Sequence, residues 1–360
     1  MAKASLTKQI RALVVDDSAY LRRLISNTLN GMPRVEVVAT AFNGQEAITM
    51  VLRQKPDLIT LDLEMPEMNG FTFLRWLMHN QPTPTIVISA EGREDTVLRA
   101  LDLGAADFIV KPTRKISPEL GAIQDLLIEK VISLRDLKIE KVKDRLETRL
   151  AQREEVQPVS RGPTVGNLDI VTIGASTGGP PAIQMILNLL PADFPTPVAV
   201  AQHMPPSFTR FFAERLNGAC KLKVKEAEEG DEICPGLVLI APGGKNMRFE
   251  RRAGSTRVVL TEKKESDRYV PSVDVMMESA AEIFGSRTLG VILTGMGNDG
   301  TEGMAAIKKA QGQTMAESEE TAVIFGMPGE AIERGVVDQV IKLDRVAEMI
   351  RAACTGERQS

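Results

Sequence analysis

The chain has 360 residues, more than one average hydrophobic core holds, so we expect two domains. Its 44 lysines and arginines against 48 aspartates and glutamates give a formal net charge of −4, which argues against the basic surface of a nucleic-acid-binding protein. Three cysteines without a CxxC spacing favour free thiols over a disulfide framework or a structural zinc site.

The hydropathy pattern gives an expectation about location. The sequence starts without a signal-peptide pattern, and its apolar runs fall short of the roughly 20 residues that span a bilayer. We therefore expect a cytoplasmic protein that is not inserted into a membrane.

The first third of the chain alternates short β-branched runs with helix-period segments. Five strands are predicted, within residues 11–15, 35–41, 58–63, 85–90 and 107–110. Continuous apolar strands, each followed by a helix, predict a doubly wound parallel sheet that is covered on both faces. The ligand site of such a fold lies beyond the carboxyl ends of its strands.

Polar residues at those strand ends are the first candidate site. They are Asp16, Asp17, Asp62, Ser89 and Lys111. Clustered carboxylates need a cation, and hard oxygen ligands favour Mg²⁺ over zinc. A carboxylate beside Mg²⁺ can attack a phosphoryl group whose charge a lysine neutralises. A single strand-end aspartate is more often a helix cap, but five such positions together favour phosphoryl chemistry.

Residues 10–130 resemble a response-regulator receiver domain with a flavodoxin-like fold. The motifs that carry the resemblance are "VVDDS", "LDLEMPEMNG", "VISA" and "FIVKP". The resemblance implies that Asp62 accepts the phosphoryl group and that Asp16, Asp17 and Asp62 hold Mg²⁺. It further implies that Ser89 and Phe108 form a switch pair and that Lys111 contacts the phosphoryl group.

Residues 131–167 are predicted to be a linker. A charged helical stretch that ends in "RLAQREE" is followed by the Pro- and Gly-containing "VQPVSRGPTVGN". This order predicts an exposed helical extension and then a flexible segment. A coiled-coil dimer is an open alternative, although the apolar repeat covers few heptads and mixed charges more often form a solvated face.

The alternation of strands and helices resumes over residues 168–350. Core strands are predicted within "DIVTIGAS", "PVAVAQHM", "GLVLIAP", "LGVILTGM" and "QVIKL", with helices between them. The pair "NMRFERR" and "TRVVLTE" predicts a β-hairpin. We expect a second doubly wound domain, of Rossmann-like three-layer αβα architecture.

Three residues near the carboxyl ends of these strands could form a catalytic triad. Ser176 ends the first strand, His203 ends the second, and Asp299 follows "LGVILT". Serine needs an imidazole to take its proton, and the imidazole needs a carboxylate to orient it. "GASTG" fits the G-x-S-x-G pattern of a nucleophilic serine. The order Ser, His, Asp differs from that of α/β-hydrolases, so we reject the α/β-hydrolase fold but still predict a catalytic triad.

Other interpretations exist for each of these residues. A lone histidine at a strand end is more often structural, while Asp299 could be a turn residue and Ser176 a helix cap. Their coincidence on one predicted rim favours catalysis. "GASTGGP" could instead bind phosphate at a helix N-terminus, but it lacks the Walker lysine and the full G-x-G-x-x-G spacing. Oxyanion donors are expected from the amides of Thr177 and Met296.

The whole chain resembles the chemotaxis protein-glutamate methylesterases. The resemblance rests on "IGASTGGP", "QHMPPSFTRFFAERLN", "PGLVLIAPGG", "PSVDVMMESAA", "ILTGMGNDG" and "FGMPGEAI". It implies a Ser176, His203 and Asp299 triad that hydrolyses glutamyl methyl esters of methyl-accepting chemotaxis receptors without a cofactor, and in some members deamidates glutamines. It also implies a chemotaxis histidine kinase as phosphodonor.

Two departures from the family pattern bear on receptor docking. Lys245 and Asn246 stand where a histidine is usual, and Gly329 and Glu330 stand where a basic residue is frequent. We expect the resting receiver to cover the catalytic rim and phosphorylation to release it. The alternative is a receiver fused to a non-enzymatic interaction domain.

Overall fold

A computed structural model describes residues 9–90, 93–111, 119–134, 168–252, 254–265 and 267–355. The chain forms two compact units, Met1–Glu147 and Thr148–Ser360. Much of the predicted linker, including the segment of the coiled-coil alternative, lies outside the described residues. Among the described residues, no helix is both long and apolar enough to cross a membrane.

The first unit is a parallel sheet with helices between its strands. The strands are β1 (Ile10–Val15), β2 (Val35–Ala41), β3 (Leu58–Asp62), β4 (Thr85–Ala90) and β5 (Asp107–Lys111). The helices are α1 (Ala19–Asn30), α2 (Gly44–Gln54), α3 (Gly70–Asn80), α4 (Glu94–Asp102) and α5 (Glu119–Leu134). The strand order β2-β1-β3-β4-β5 is that of flavodoxin-like folds, so the predicted fold class is confirmed.

Local sequence explains where these elements begin. Every residue of β3 is buried, as expected for a strand covered on both faces. The side chain of Ser18 caps α1 by accepting the backbone N–H of Leu21, and Asn43 caps α2 in the same way through Glu46. These caps fix the helix starts directly after the strand ends, which is where the polar site residues lie.

The second unit contains a larger parallel sheet. Its strands are β6 (Ile170–Ala175), β7 (Val198–Gln202), β8 (Lys223–Glu226), β9 (Leu237–Ile240), β12 (Thr288–Ile292), β13 (Gln313–Glu317) and β14 (Gln339–Ile341). They are ordered β14-β13-β12-β6-β7-β9-β8. The predicted hairpin forms separately as β10 (Lys245–Arg252) and β11 (Ser255–Glu262).

Helices pack on this sheet in two groups. They are α6 (Gly179–Leu189), α7 (Phe208–Ala219), α8 (Val273–Phe284), α9 (Thr301–Lys309), α10 (Met327–Glu333) and α11 (Leu343–Thr355). Helix α6 contacts α7 and α11, whereas α8 contacts α9, and α9 contacts α10. The three-layer αβα class is therefore confirmed.

The sheet has two strands that the sequence did not predict. Strand β8 reads "KVKE", and its charged residues hide the apolar signal of an edge strand. Strand β13 reads "QTMAE" and ends in the fully buried Glu317. Helices α10 and α11 were not predicted either, and α10 begins with Met327 and Pro328.

Candidate active site and phosphorylation site

The central strands of the larger sheet bring the three predicted triad residues together. Strand β6 lies between β12 and β7 in the sheet. Ser176 directly follows β6, His203 directly follows β7, and Asp299 lies in the loop after β12. The backbone N–H of His203 donates to the carbonyl of Ala175 at 3.1 Å, which extends the strand pairing up to the two residues.

Asp299 is buried in a set of hydrogen-bond donors. His203 Nε2 lies 2.7 Å from Asp299 Oδ2. The same carboxylate accepts the Ser272 hydroxyl at 2.9 Å and the backbone N–H groups of Val273 and Asp274 at 2.8 and 3.0 Å. These donors form the N-terminus of α8, whose dipole also favours a negative charge. The carboxylate is thereby held in one orientation toward the imidazole.

The protonation of Asp299 follows from this setting. Burial raises the pKa of the Asp299 carboxyl, but the hydrogen bond and charge of His203 lower it, and the N–H groups of Asp274 and Val273 lower it further. The net pKa lies below the usual range of an aspartate. Asp299 therefore stays ionised near neutral pH, as an acid that orients and stabilises an imidazolium must.

Ser176 is held through its backbone and not through its hydroxyl. Its N–H donates to Thr294 O at 3.1 Å, and its carbonyl accepts Gln202 Nε2 at 2.9 Å. Among the described residues, no hydrogen bond joins the Ser176 hydroxyl to His203. Such contacts are often long without substrate and tighten when it binds.

The turn after Ser176 and the loop after β12 meet at the serine. Gly178 adopts a φ of +76°, which turns the chain into α6 and which a side chain would strain. A methyl group built on Gly295 would lie 2.8 Å from Ser176 Cβ, so this glycine lets the loop that carries Met296 touch the serine. Thr177 and Met296, the predicted oxyanion donors, therefore lie on segments that adjoin the hydroxyl.

Two buried polar residues near the serine were not singled out in the sequence. The Gln202 side chain is 2% exposed and donates to the carbonyls of both Ser176 and His203, at 2.9 and 3.2 Å. The Thr294 hydroxyl donates to Thr177 O at 3.0 Å, and its N–H donates to Glu317 at 2.9 Å. Polar residues at the ends of apolar strands were the signal that could have identified them.

Ser272 was missed as well, although its sequence context contains a signal. It opens the segment "SVDV" and caps α8 by accepting the N–H of Val275, as serine commonly does at a helix start. The cap hydroxyl then donates to Asp299. Its dependence on Asp299, 27 positions later in the chain, is a tertiary contact that local sequence does not reveal.

Asp274 forms a second carboxyl next to Asp299. It accepts the Gly303 N–H at 2.8 Å. Burial raises the pKa of Asp274, the N–H groups of Gly303 and Gly300 lower it, and the nearby Asp299 raises it again, to about 7. Two close carboxylates resist holding two negative charges, so the neutral form of Asp274 is favoured in the folded protein.

We expect the free energy of unfolding to fall as Asp274 is forced to ionise. The raised pKa means that the stabilisation is full below the ordinary aspartate pKa of 3.8 and is lost as the pH rises to about 7. Asp274→Asn keeps an acceptor for Gly303 and should gain stability relative to the natural chain on going from about pH 5 to about pH 8. Thermal unfolding of both proteins across this range checks the difference, and parallel curves would contradict it.

The residues that depart from the family pattern divide into exposed and buried ones. Lys245 and Glu330 are exposed, and Lys245 pairs with Glu262 at 3.1 Å. Gly329 is half-buried and packs near the Phe325 ring. Asn246 is only 3% exposed and bonds to Asp267 and Ser272, so its side chain acts within the fold.

The receiver-like unit brings its own predicted residues together. Asp16, Asp17 and Asp62 each place a carboxylate oxygen within 4.8 Å of the others. Lys111 Nζ lies 2.5 Å from Asp62 Oδ2 and 3.0 Å from Asp16 Oδ2. Burial raises the pKa of Asp62, Lys111 lowers it, and Asp16 raises it again, with a net rise. Three carboxylate oxygens this close together suit a hard cation such as Mg²⁺.

The predicted switch residues lie on neighbouring strands of the same sheet. Ser89 is buried on β4, and Phe108 is buried on β5. Lys130 Nζ sits 5.9 Å from the centroid of the Phe108 ring and pairs with Asp107 at 2.7 Å. Both switch side chains are therefore packed inside in this structure.

Comparisons with known proteins agree over nearly the whole chain. The family model for CheB methylesterase matches residues 171–350, and that for the response regulator receiver domain matches residues 12–117. A protein-glutamate methylesterase/protein-glutamine glutaminase of Geobacter sulfurreducens is 50% identical and covers 96% of this chain and 98% of its own. One of Halalkalibacterium halodurans is 42% identical and covers 97% and 99%.

A solved structure resembles the second unit. The crystal structure of the Thermotoga maritima CheB methylesterase catalytic domain is 44% identical, with a TM-score of 0.50, and covers 51% of this chain and 97% of its own. The chain belongs to the CheB methylesterase family, with a response-regulator receiver domain joined to the methylesterase domain.

Proposed function

We propose that this protein is a phosphorylation-activated hydrolase that removes methyl groups from glutamyl methyl esters of methyl-accepting chemotaxis receptors and deamidates receptor glutamines. The single observation that carries the proposal is the bonded pair of His203 and Asp299 beside Ser176. The names of the relatives support the ester and amide substrates. A non-enzymatic interaction protein would have no need of this buried, charge-stabilised pair.

The proposed mechanism assigns one role to each triad residue. His203 points Nε2 at Asp299, so its Nδ1 is the atom that would take the proton from the Ser176 hydroxyl. Ser176 attacks the ester carbonyl, methanol leaves with a proton from the imidazolium, and the acyl-enzyme is hydrolysed by a water that His203 deprotonates. An amide substrate would release ammonia by the same steps.

Two backbone amides are proposed to stabilise the oxyanion. The N–H groups of Thr177 and Met296 would donate to the oxygen that becomes negative during attack. The Thr294 hydroxyl ties the two segments together by its bond to Thr177 O. The Gly295 carbonyl accepts the N–H groups of Gly326 and Met327 and so anchors the Met296 segment to the start of α10. A site held by these bonds needs little rearrangement when charge develops.

The receiver domain is proposed to supply the activating signal. Asp62 would accept a phosphoryl group from a chemotaxis histidine kinase in the cytoplasm, with Lys111 against the phosphoryl oxygens. Asp16, Asp17 and Asp62 would hold Mg²⁺, which supplies charge neutralisation when bound. Ser89 and Phe108 would then move as the switch pair.

The receiver is proposed to span residues 10–130, the linker residues 131–167 and the catalytic domain residues 168–350.

The test is methanol release from methylated receptor membranes, with and without a small-molecule phosphodonor and Mg²⁺. We expect the phosphodonor to raise release by the natural protein about tenfold, because it shifts a mostly inactive population. Asp62→Asn should stay at the resting rate, since it cannot be phosphorylated at that position.

Asp57→Asn is the matched control for this experiment. Asp57 lies at the opposite end of β3, where its side chain accepts the Arg11 N–H at 3.1 Å. Its variant should be activated like the natural protein. An equal response of Asp62→Asn and the natural protein would contradict the assignment of the phosphorylation site.

A further inference from the structure

An aromatic ring outside the predicted triad lies flat against its histidine. Tyr269 belongs to the segment between β11 and α8, which we call the Tyr269 loop (residues 263–271, described except for position 266). The rings of Tyr269 and His203 are parallel, with an angle of 4° between their planes and 4.6 Å between their centroids. Parallel rings at this separation form an offset stack, with one ring face in contact with the other.

The stack removes a motion that the hydrogen bond to Asp299 leaves open. That hydrogen bond fixes the position of His203 Nε2. It still permits the imidazole ring to tilt around Nε2 by rotation about the Cβ–Cγ bond. Nδ1, the atom on the other side of the ring, would then swing away from Ser176. A flat ring packed on one face of the imidazole blocks this rotation, so the plane of His203 is set by Tyr269.

The Tyr269 loop is itself anchored from β10. The buried Asn246 donates to Asp267 at 2.9 Å and accepts the Ser272 N–H at 2.9 Å, so it holds the chain on both sides of Tyr269. Asp267 also accepts the N–H of Lys264 at 3.0 Å. Asn246, one of the residues that depart from the family pattern, therefore fixes the loop that carries the Tyr269 ring.

Two further contacts place the tyrosine ring. A methyl group built on Gly297 would lie 2.5 Å from the Tyr269 hydroxyl oxygen, so the hydroxyl packs directly on the backbone that follows Met296. The guanidinium carbon of Arg268 lies 5.2 Å from the centroid of the Tyr269 ring. Tyr269 thus touches both the proposed base and the segment of a proposed oxyanion donor.

The geometry points to Tyr269 as a positioning residue that sets the ring plane of His203 by stacking, while Asn246 holds it in place through Asp267 and Ser272. This inference rests on the proposed catalytic role of His203. The role requires the aromatic face of Tyr269 and not its hydroxyl. Tyr269→Phe should therefore preserve the orientation of His203, and Tyr269→Leu should not.

The first measurement is the NMR spectrum of the imidazole protons. The chain has two histidines, His79 and His203, so their signals are easily separated by variants. A stacked ring shifts the protons above its face upfield, and we expect that shift for His203 in the natural protein and in Tyr269→Phe. It should disappear in Tyr269→Leu, whereas the signals of His79, exposed at the end of α3, should not move.

The second measurement is the rate at which p-nitrophenyl acetate acylates the full chain. Tyr269→Leu should acylate about five- to tenfold more slowly, the loss expected for one aromatic stack, and Tyr269→Phe should regain the natural rate. Phe284→Leu is the matched control, because it removes the partner of Phe249 in an aromatic pair 6.1 Å apart in the same unit. It should lower the melting temperature and leave acylation unchanged.

The outcomes separate this inference from the proposed function. If Tyr269→Leu loses the upfield shift and slows acylation while Phe restores both, the inference is supported. If Tyr269→Leu acylates at the natural rate, or Phe is as slow as Leu, the inference is overturned and the triad stands. Natural protein that is acylated by the ester but releases no methanol from receptor membranes would refute the substrate proposal alone.

Discussion

Ser176→Ala should reduce methanol release by a factor on the order of 10⁶, because loss of the nucleophile removes the acyl-enzyme route altogether. The remaining turnover would come from substrate binding and the oxyanion amides. The fold should not change. The contacts of Ser176 described above use its backbone N–H and carbonyl, and these are retained in alanine.

The measurement is methanol release at saturating receptor, together with a melting curve that checks folding. Ser255→Ala, at the start of β11, is the matched control and should match the natural protein, since the Ser255 hydroxyl makes a long bond of 3.4 Å to Arg252 O. If Ser176→Ala keeps more than about a hundredth of the natural rate, another group is the nucleophile.

Asp299→Asn should lower turnover by about 10⁴-fold, as expected when the orienting acid of a triad loses its charge. The carboxylate accepts four donors, from His203, Ser272 and the N–H groups of Val273 and Asp274. An amide offers one oxygen and one NH₂ group, so at least one of these donors would face another donor. Both the tautomer of His203 and the start of α8 would be disturbed.

Steady-state kinetics and thermal unfolding together test this prediction. We expect the variant to lose stability as well as activity, since buried donors are left without an acceptor. Asp338→Asn is the control, because Asp338 likewise accepts the N–H and hydroxyl of Thr314 and pairs with Lys308, but away from the triad. Asp338→Asn should change stability alone. An Asp299→Asn protein within tenfold of natural turnover would refute the role of the carboxylate.

Apolar runs predicted the strands that are buried on both faces. Strands β3, β4, β6, β7 and β12, which are buried along nearly their whole length, appear where the apolar runs placed them, because burial on both faces favours apolar residues. Strand β8 was not predicted, because an edge strand tolerates the charges of "KVKE" and so lacks a continuous apolar run. Strand β13 was not predicted because its sequence "QTMAE" is largely polar, and the buried Glu317 accepts the Thr294 N–H, a tertiary contact that local sequence does not reveal.

The candidate site residues that could be predicted from the sequence are those that lie at or just after strand ends. Ser176, His203 and Asp299 were identified because parallel strands deliver their carboxyl ends to one edge of the sheet. Gln202, Ser272 and Tyr269 were not, because each acts through a residue distant in the chain or through packing that no spacing encodes. The sequence also suggested that Asn246 bears on receptor docking, whereas its side chain is buried beneath the Tyr269 loop.

The position of β6 between β12 and β7 has a consequence for how relatives of this protein can vary in length. Ala175 pairs with Gln202 on one side, and Gly174 pairs with Ile292 on the other, so the ladder itself sets the spacing of the three chain segments. One inserted residue in any of these strands would displace its end by about 3.3 Å and turn its side chains to the opposite face. Insertions and deletions should therefore accumulate in the loops beyond the strand ends, so substrate preference can diverge while the spacing of the three segments stays fixed.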